Sequence, residues 1–262
     1  MYPLEISLPF VTAFGLIVGS YLNVVIYRLP QGLSTVQPAS RCPRCVMPIR
    51  PFDNVPVLGY LWLRARCRDC GLPIPIRYPL VEAIVGAWFA FAFLRADSWI
   101  EKGSTVLLGS FLLVIALIDF DHQRIPIWQT LAMIAVGLTL QPWLSWARWG
   151  LEPSDHPSAL AFGAAVVGGL SVPFLTAAGR LFGIEDGLAS GDALALALIG
   201  AFLGPRGALV AFLVGGAAAS LIYAPRLLRS RRRMDQPIPF VTYLAFGAVS
   251  ALVAGPLSST WT

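Results

Sequence analysis

Eight apolar stretches divided by polar segments constrain this chain more than any other feature; they run at approximately 7–27, 79–95, 104–119, 127–146, 159–179, 191–204, 207–224 and 238–257. A helix needs roughly 20 apolar residues to cross about 30 Å of hydrocarbon, and several stretches approach that length. The sixth is short and follows a polar, glycine-containing segment. Its start reads as irregular backbone, which a membrane permits only where protein or water covers it. Hydrophobic residues make up 56% of the chain and charged residues 13%, too few charges to clothe a water-exposed surface. The expected fold is an all-α polytopic membrane protein with about eight transmembrane helices. The first stretch reads as a retained span, because residues 1–5 carry no basic residue and no small-residue cleavage site follows it.

The net charge of +5 is almost wholly arginine, with Lys102 the lone lysine. On a soluble domain such an excess points to nucleic acid. In a membrane chain it marks cytoplasmic loops, so membrane lipid and not nucleic acid is the expected partner. With the N-terminus outside and the spans alternating, one side receives Arg28, Arg41, Arg44, Arg50, Arg64, Arg66, Arg68, Arg77, Arg124, Arg180, Arg226, Arg229, Arg231, Arg232 and Arg233. The other side receives only Arg95, Lys102, Arg148 and Arg206. The larger group belongs in the cytoplasm. The expected organisation is a first helix at 1–27, a cytoplasmic module at 28–78 and a membrane core at 79–262. Trp99, Trp143 and Trp146 fit interfacial anchoring, and the arginines within 226–233 fit contact with anionic lipid. No heptads, tandem repeats or low-complexity tracts stand out.

All four cysteines lie in the polar module, as Cys42-Pro-Arg-Cys45 and Cys67-Arg-Asp-Cys70. Each C-x-x-C turn points two sulfurs at one centre, and two such turns supply a tetrahedron of soft ligands. A structural zinc ion is expected, with no position left open for catalysis. Arg41, Arg44, Arg66 and Arg68 would help hold the sulfurs as thiolates. A disulfide pair or a redox dithiol is the competing reading, disfavoured by a reducing cytoplasm.

Few acidic residues sit in or at the end of an apolar stretch: Glu82, Asp119, Asp121 and Asp192. An ionisable group at mid-span costs at least about 2.5 kcal/mol, so it has a task or a partner. Asp119 closes the third stretch and Asp192 opens the sixth, which puts both on the cytoplasmic edge. Two carboxylates sharing a site do not both ionise easily; one keeps a proton while the other takes one from water. Such a pair hydrolyses a peptide bond without a metal. Gly191 would let a substrate strand approach closely. The competing reading has these acids capping helices or pairing with Arg124 and Arg180. Asp121 lies about 200° around the helix from Asp119 and reads as a supporting or solvated acid. His122 reads as a local hydrogen-bonder. Glu82 is expected to pair with Arg77 or Arg28.

These residues carry a resemblance that spans nearly the whole chain. Gly19-Ser-Tyr-Leu-Asn-Val-Val-Ile-Tyr-Arg-Leu-Pro30, Pro48-Ile-Arg50, Asp53-Asn-Val-Pro56, Arg77-Tyr-Pro-Leu-Val-Glu82, Ile118-Asp-Phe-Asp-His-Gln-Arg-Ile-Pro126, Ser190-Gly-Asp192 and Ile238-Pro-Phe240 resemble, in order and spacing, the motifs of the type IV prepilin peptidase family. The resemblance implies an aspartic endopeptidase of the bacterial inner membrane with Asp119 and Asp192 catalytic. It implies cleavage of the short basic leader of prepilins or pseudopilins at the cytoplasmic face. It also implies N-methylation of the new terminus with S-adenosylmethionine as donor, since members with the cysteine loop are bifunctional. Three positions depart from the pattern: Ala189 replaces the first glycine of Gly-x-Gly-Asp, Leu194 replaces a lysine, and Ile127 replaces an aspartate. They bear on substrate range and efficiency. Two other classes use the same features: a transporter moving protons or cations on the aspartates, and a non-catalytic scaffold recruiting partners through the zinc module.

The charge asymmetry makes a topological prediction. Cysteines introduced in 28–78 should escape a membrane-impermeant thiol reagent applied to intact cells; labelling there would overturn the orientation.

Overall fold

The computed structural model describes residues 4–149, 163, 165–167, 169, 170, 190–229 and 238–254. Among them the regular elements are all helical: α1 (Leu4–Arg28), α2 (Leu58–Trp62), α3 (Arg77–Arg95), α4 (Trp99–His122), α5 (Ile127–Trp149), α6 (Ser190–Arg229) and α7 (Phe240–Ala254). Four stretches are long and apolar enough to cross a membrane: Ser7–Gln31, Arg77–Arg95, Trp99–His122 and Gly191–Tyr223. Ile127–Leu140 and Phe240–Ala254 are shorter apolar helices. The expected span at 159–179 lies outside the described residues apart from a few helical positions, as do Arg180, Ala189, Arg231, Arg232 and Arg233. The expected sixth and seventh stretches are joined in α6. Gly204 interrupts that helix at φ 70°, ψ −174°, the left-handed side that favours glycine.

The chain divides into two compact units, Met1–Asp97 and Ser98–Thr262. In the first, α1 packs along α3 through small residues. A Cβ on Gly15 would stand 2.8 Å from that of Phe89, and one on Gly19 would stand 2.8 Å from the Cα of Glu82. Gly86 on α3 answers them, its own Cβ direction 2.6 Å from Leu16 Cδ2. Gly15 and Gly19 form the small-xxx-small spacing by which apolar helices approach closely. The outward face of α1 carries Phe10, Phe14 and Ile17, all exposed, as lipid solvent allows. Asn23, a polar residue on the inner face, donates to the Tyr78 carbonyl at 3.0 Å and ties the end of α1 to the start of α3.

In the second unit, Leu108, Leu112 and Ile115 of α4, Leu198, Ile199 and Phe202 of α6, and Val241, Leu244 and Ala248 of α7 form one buried cluster. Ser98 caps α4, accepting the Glu101 amide at 3.1 Å. At the other end Gln123 adopts φ 52°, ψ 39°, and its amide closes on the Asp119 carbonyl at 2.8 Å. The helix therefore stops one turn after Asp119. Pro126 follows and α5 begins, with the Thr130 hydroxyl donating to the Pro126 carbonyl at 2.8 Å. α6 and α7 meet backbone to backbone: a Cβ on Gly215 would lie 2.5 Å from the Tyr243 carbonyl, and one on Gly247 would strike the Ala211 carbonyl.

Overpacking such a contact costs about 1–3 kcal/mol. Gly247→Val should lower the unfolding temperature of the detergent-purified protein, whereas Gly216→Val, which faces open space, should not. Equal melting of the two variants would refute the close α6–α7 contact.

Candidate active site and metal centre

Asp119 and Asp192 are 7% and 5% exposed, among the few buried acids of the described residues. Asp119 sits in the last turns of α4 because Gln123 ends the helix just beyond it. Its side chain meets the first turn of α7, where the backbone amides of Thr242 and Val241 donate to the carboxylate. Amides at a helix start are a ready seat for an anion, and here the Thr242 amide is shared with the Pro239 carbonyl at 3.2 Å. The Thr242 hydroxyl donates to the Ala116 carbonyl at 2.9 Å, locking α7 to α4 one turn before Asp119. Among the described residues nothing hydrogen-bonds the Asp119 Oδ2 atom. Asp192 opens α6. The preceding Gly191 lies against Ile125 in the α4–α5 turn, where a Cβ would stand 3.4 Å from Ile125 Cγ1. The end of α4 and the starts of α6 and α7 thus gather at one end of this unit, and both aspartates belong to that end. Asp121, about 200° around α4 from Asp119, is exposed, and His122, the last residue of the helix, is exposed as well.

In the other unit the four sulfurs converge. All lie within 4.8 Å of one another, with Cys42 and Cys70 at 3.9 Å and Cys45 and Cys67 at 4.0 Å. These separations exclude disulfides, and all four thiols are free. A tetrahedral zinc with bonds of about 2.3 Å has sulfur–sulfur edges of about 3.8 Å, so this donor set fits such an ion. The two turns are built alike, which corrects the expectation that the chain holds no internal repeat. Arg41-Cys-Pro-Arg-Cys-Val-Met-Pro-Ile49 and Arg66-Cys-Arg-Asp-Cys-Gly-Leu-Pro-Ile74 adopt the same hydrogen bonds. The Cys42 amide donates to Met47 at 3.0 Å and the Cys67 amide to Leu72 at 2.9 Å. Val46 and Gly71 close the turns at φ 61° and 68°. Isolated bridges pair Arg41 with Pro48 and Arg66 with Pro73. The signal was present in sequence as matching Arg, Cys, Cys, Pro and Ile positions, hidden by four differing positions among them, three of them unlike in type.

Backbone amides lower the thiols, while burial raises them; at Cys45 and Cys70 neighbouring sulfurs raise them too. Burial pushes the Cys42 thiol up, but the amides of Cys45 and Arg44 outweigh it and bring it down to about 7. The Met47 amide lowers Cys45, yet burial and the neighbouring sulfurs carry it up to about 12. Four thiolates this close repel one another, and a central divalent cation reverses that repulsion. Arg68 is turned away to Asp53, donating at 2.7 and 2.6 Å, and its guanidinium holds the Asp53 carboxyl below the usual range. Arg50 reaches Asp69 at 3.5 Å. Both ion pairs tie the second turn to the segment between the turns. Glu82 also differs from expectation. It accepts the Val57 amide at 2.7 Å and the Ser20 hydroxyl, while Arg28 donates to the Ser34 and Ala39 carbonyls.

Comparison with known proteins follows the same division. The model of the bacterial peptidase A24 N-terminal domain matches residues 13–96, and that of the type IV leader peptidase family matches 106–224. The chain is similar to the prepilin leader peptidase/N-methyltransferase of Myxococcus xanthus, 36% identical over 96% of this chain and 71% of that protein. The protein of the same name from Klebsiella pneumoniae is 40% identical over 72% of this chain and 82% of its own length. That from Burkholderia pseudomallei strain K96243 is 33% identical over 97% and 87%. No solved structure was found to match.

The sulfur geometry predicts about one zinc ion per chain by elemental analysis. Cys67→Ser should lower that content sharply and loosen the module to proteolysis. Undiminished zinc in the variant would place the ligands elsewhere.

Proposed function

Because the chain belongs to the type IV leader peptidase family, we propose that Asp119 and Asp192 are its catalytic pair and that it removes the basic leader of prepilins or pseudopilins at the cytoplasmic face of the inner membrane. The observation that carries this reading is the gathering of two buried carboxylates, from separate helices, at one end of the second unit. In an apolar setting such a pair holds one proton between them. The ionised partner takes a proton from water, and the protonated partner donates to the peptide carbonyl and then to the departing amine. Among the described residues Oδ2 of Asp119 is buried and has no hydrogen-bond partner, and in this reading it is the oxygen that faces the water. The Thr242 and Val241 amides orient the carboxylate and leave its chemistry to the pair. The arginine-rich side chosen from the charge distribution supports the cytoplasmic location. Membership in a protease family weighs against the transporter and scaffold readings.

Methylation of the exposed terminus completes the proposed function, in keeping with the relatives' names. S-adenosylmethionine, when bound, supplies a methyl group on a sulfonium, which the deprotonated amine accepts as the sulfur leaves as a neutral thioether. A metal held by Cys42, Cys45, Cys67 and Cys70 orders the module and takes no part in hydrolysis.

The test is incubation of the detergent-purified protein with a prepilin-like substrate and S-adenosylmethionine, read by mass spectrometry. Wild-type protein should yield a product lacking its leader and carrying one methyl increment of about 14 Da, the group transferred in such chemistry. Asp119→Asn and Asp192→Asn should each abolish cleavage, and the double variant should be no worse, because the two groups act as a unit. A folded Asp192→Asn protein that cleaves at the wild-type rate would remove the dyad.

A further inference from the structure

The cysteine module leaves one membrane-length helix, α1, and returns to another, α3, so both its ends are held at one membrane surface. α3 has 19 residues, about 28 Å of helix, and needs its whole length to cross about 30 Å of hydrocarbon. Its first residue, Arg77, therefore stands at the membrane edge. Glu82 lies in the second turn, about 8 Å further along the axis, and its side chain leans back toward the helix start. The Val57 amide donates to that carboxylate at 2.7 Å. The module is thus tied down at the level of the first turns of α3. α2 begins at the very next residue, Leu58.

α2 is a single amphipathic turn. Leu58, Leu61 and Trp62, spaced i, i+3, i+4, share one face and are 54%, 62% and 49% exposed. The opposite face is filled. Gly59 lies against the Asp53 carbonyl, where a Cβ would strike it, and Tyr60 and Leu63 line a cavity of about 390 Å³ between α1, the module and α3. The Trp62 indole N–H donates to the Asp53 carboxylate, which satisfies its polar edge and leaves the ring half-exposed. Two left-handed residues, Arg64 at φ 51° and Ala65 at φ 59°, follow the helix. The Ala65 amide closes on the Tyr60 carbonyl at 2.9 Å and the Arg64 amide on the Leu61 carbonyl at 3.0 Å, which stops the helix. Arg64 and Arg66, both exposed, therefore come directly after the apolar face. Three large apolar side chains exposed on one turn are a liability in water. At the depth of the first turns of a spanning helix, and beside arginine, they match a lipid surface. The leucines suit acyl chains, tryptophan suits the interface, and guanidinium groups suit anionic phosphodiesters. Ile76, Leu80 and Ile84, at the same end of α3, are exposed as well.

We propose that α2 is an interfacial anchor: Leu58, Leu61 and Trp62 enter the headgroup boundary of the leaflet where α1 ends and α3 begins, and Arg64 and Arg66 contact anionic lipid headgroups. The anchor seats the cysteine module on the bilayer instead of leaving it suspended in water between two helices. A second copy or a passing peptide would meet the same apolar face, but neither accounts for its depth beside α3 or for the arginines next to it. The inference rests on α3 crossing the membrane and not on the proposed chemistry.

Tryptophan fluorescence of the full-length protein tests it, in phosphatidylcholine vesicles containing phosphatidylglycerol. The acyl chains carry bromine, a contact quencher, either near the glycerol end or near the methyl end. The wild-type spectrum minus that of Trp62→Phe isolates Trp62. That difference should be blue-shifted and should lose at least about half its intensity to shallow bromine and less to deep bromine, as a ring in the headgroup boundary predicts. Omitting phosphatidylglycerol should reduce the shallow quenching, and Arg64→Gln with Arg66→Gln should remove that dependence. Leu61→Trp gives an independent reading, since the signal it adds to the wild type should be quenched in the same order. It decides the matter if Trp62→Phe lowers the unfolding temperature. A water-like, unquenched difference would overturn the anchor. So would blue-shifted emission that bromine leaves untouched, the result expected of a second copy on this face, or stronger quenching by deep bromine. Quenching indifferent to phosphatidylglycerol would overturn the assignment of Arg64 and Arg66 to anionic lipid.

Discussion

Helices that meet in an apolar solvent gain little from burying apolar surface, because lipid tails are as apolar as leucine. What remains is close approach, and in this chain glycine makes it possible. Gly15, Gly19 and Gly86 bring α1 and α3 together in one unit; Gly215 and Gly247 bring α6 and α7 together in the other. A side chain at any of these places would push the backbones apart. The polar groups that matter are then held where such packing puts them. Glu82 lies on the stretch of α3 that Gly19 lets α1 approach, and Asp119 lies against the start of the α7 helix that Gly247 lets α6 approach.

The second consequence concerns where a carboxylate can live in such a protein. A helix interior offers no spare hydrogen-bond donors, whereas a helix start offers several. Asp119 ends one helix facing the first amides of another, and Asp192 begins a third. This arrangement keeps both acids out of bulk water, with Asp119 supported by the Thr242 and Val241 amides. It also concentrates them at one end, where the short α4–α5 turn brings Ile125 against Gly191. The same logic governs Glu82, which takes the amide of Val57 from the loop before α3.

The cysteine module solves a different problem. It has one short α-helix, two single 3-10 turns, isolated bridges and few buried side chains to hold it. Two copies of one turn, each closed by a residue at positive φ, aim their sulfurs inward. At the second copy that residue is Gly71, which tolerates the conformation; at the first it is Val46, a β-branched residue strained there. The strain persists because hydrogen bonds on either side over-determine the turn. Two ion pairs, Asp53 with Arg68 and Asp69 with Arg50, fasten the intervening segment to the second copy.

Much of this was legible in the residues alone, and for definite reasons. Apolar stretches near membrane length identify helices without any tertiary information, and acids at their ends single out Asp119 and Asp192, because a charge there is expensive. The doubled C-x-x-C picks out four cysteines whose sulfurs the fold brings together, since the spacing of a turn is local. The repeat around those cysteines escaped because Pro43, Arg44, Val46 and Met47 share no likeness in type with Arg68, Asp69, Gly71 and Leu72 beyond a hydrophobic last pair. The partner of Glu82 was misjudged because charge favours an arginine on paper, while the fold supplied a backbone amide. Any residue carries such an amide, so it leaves no mark in sequence. The meeting of Thr242 with Ala116, and of Gly191 with Ile125, likewise joins residues far apart in the chain. Composition and spacing determined the helices, the acids and the sulfur ligands, each a property of short segments. Only the packing of whole helices decided which amides face which carboxylates and where a cavity is left, because those depend on how closely distant backbones approach.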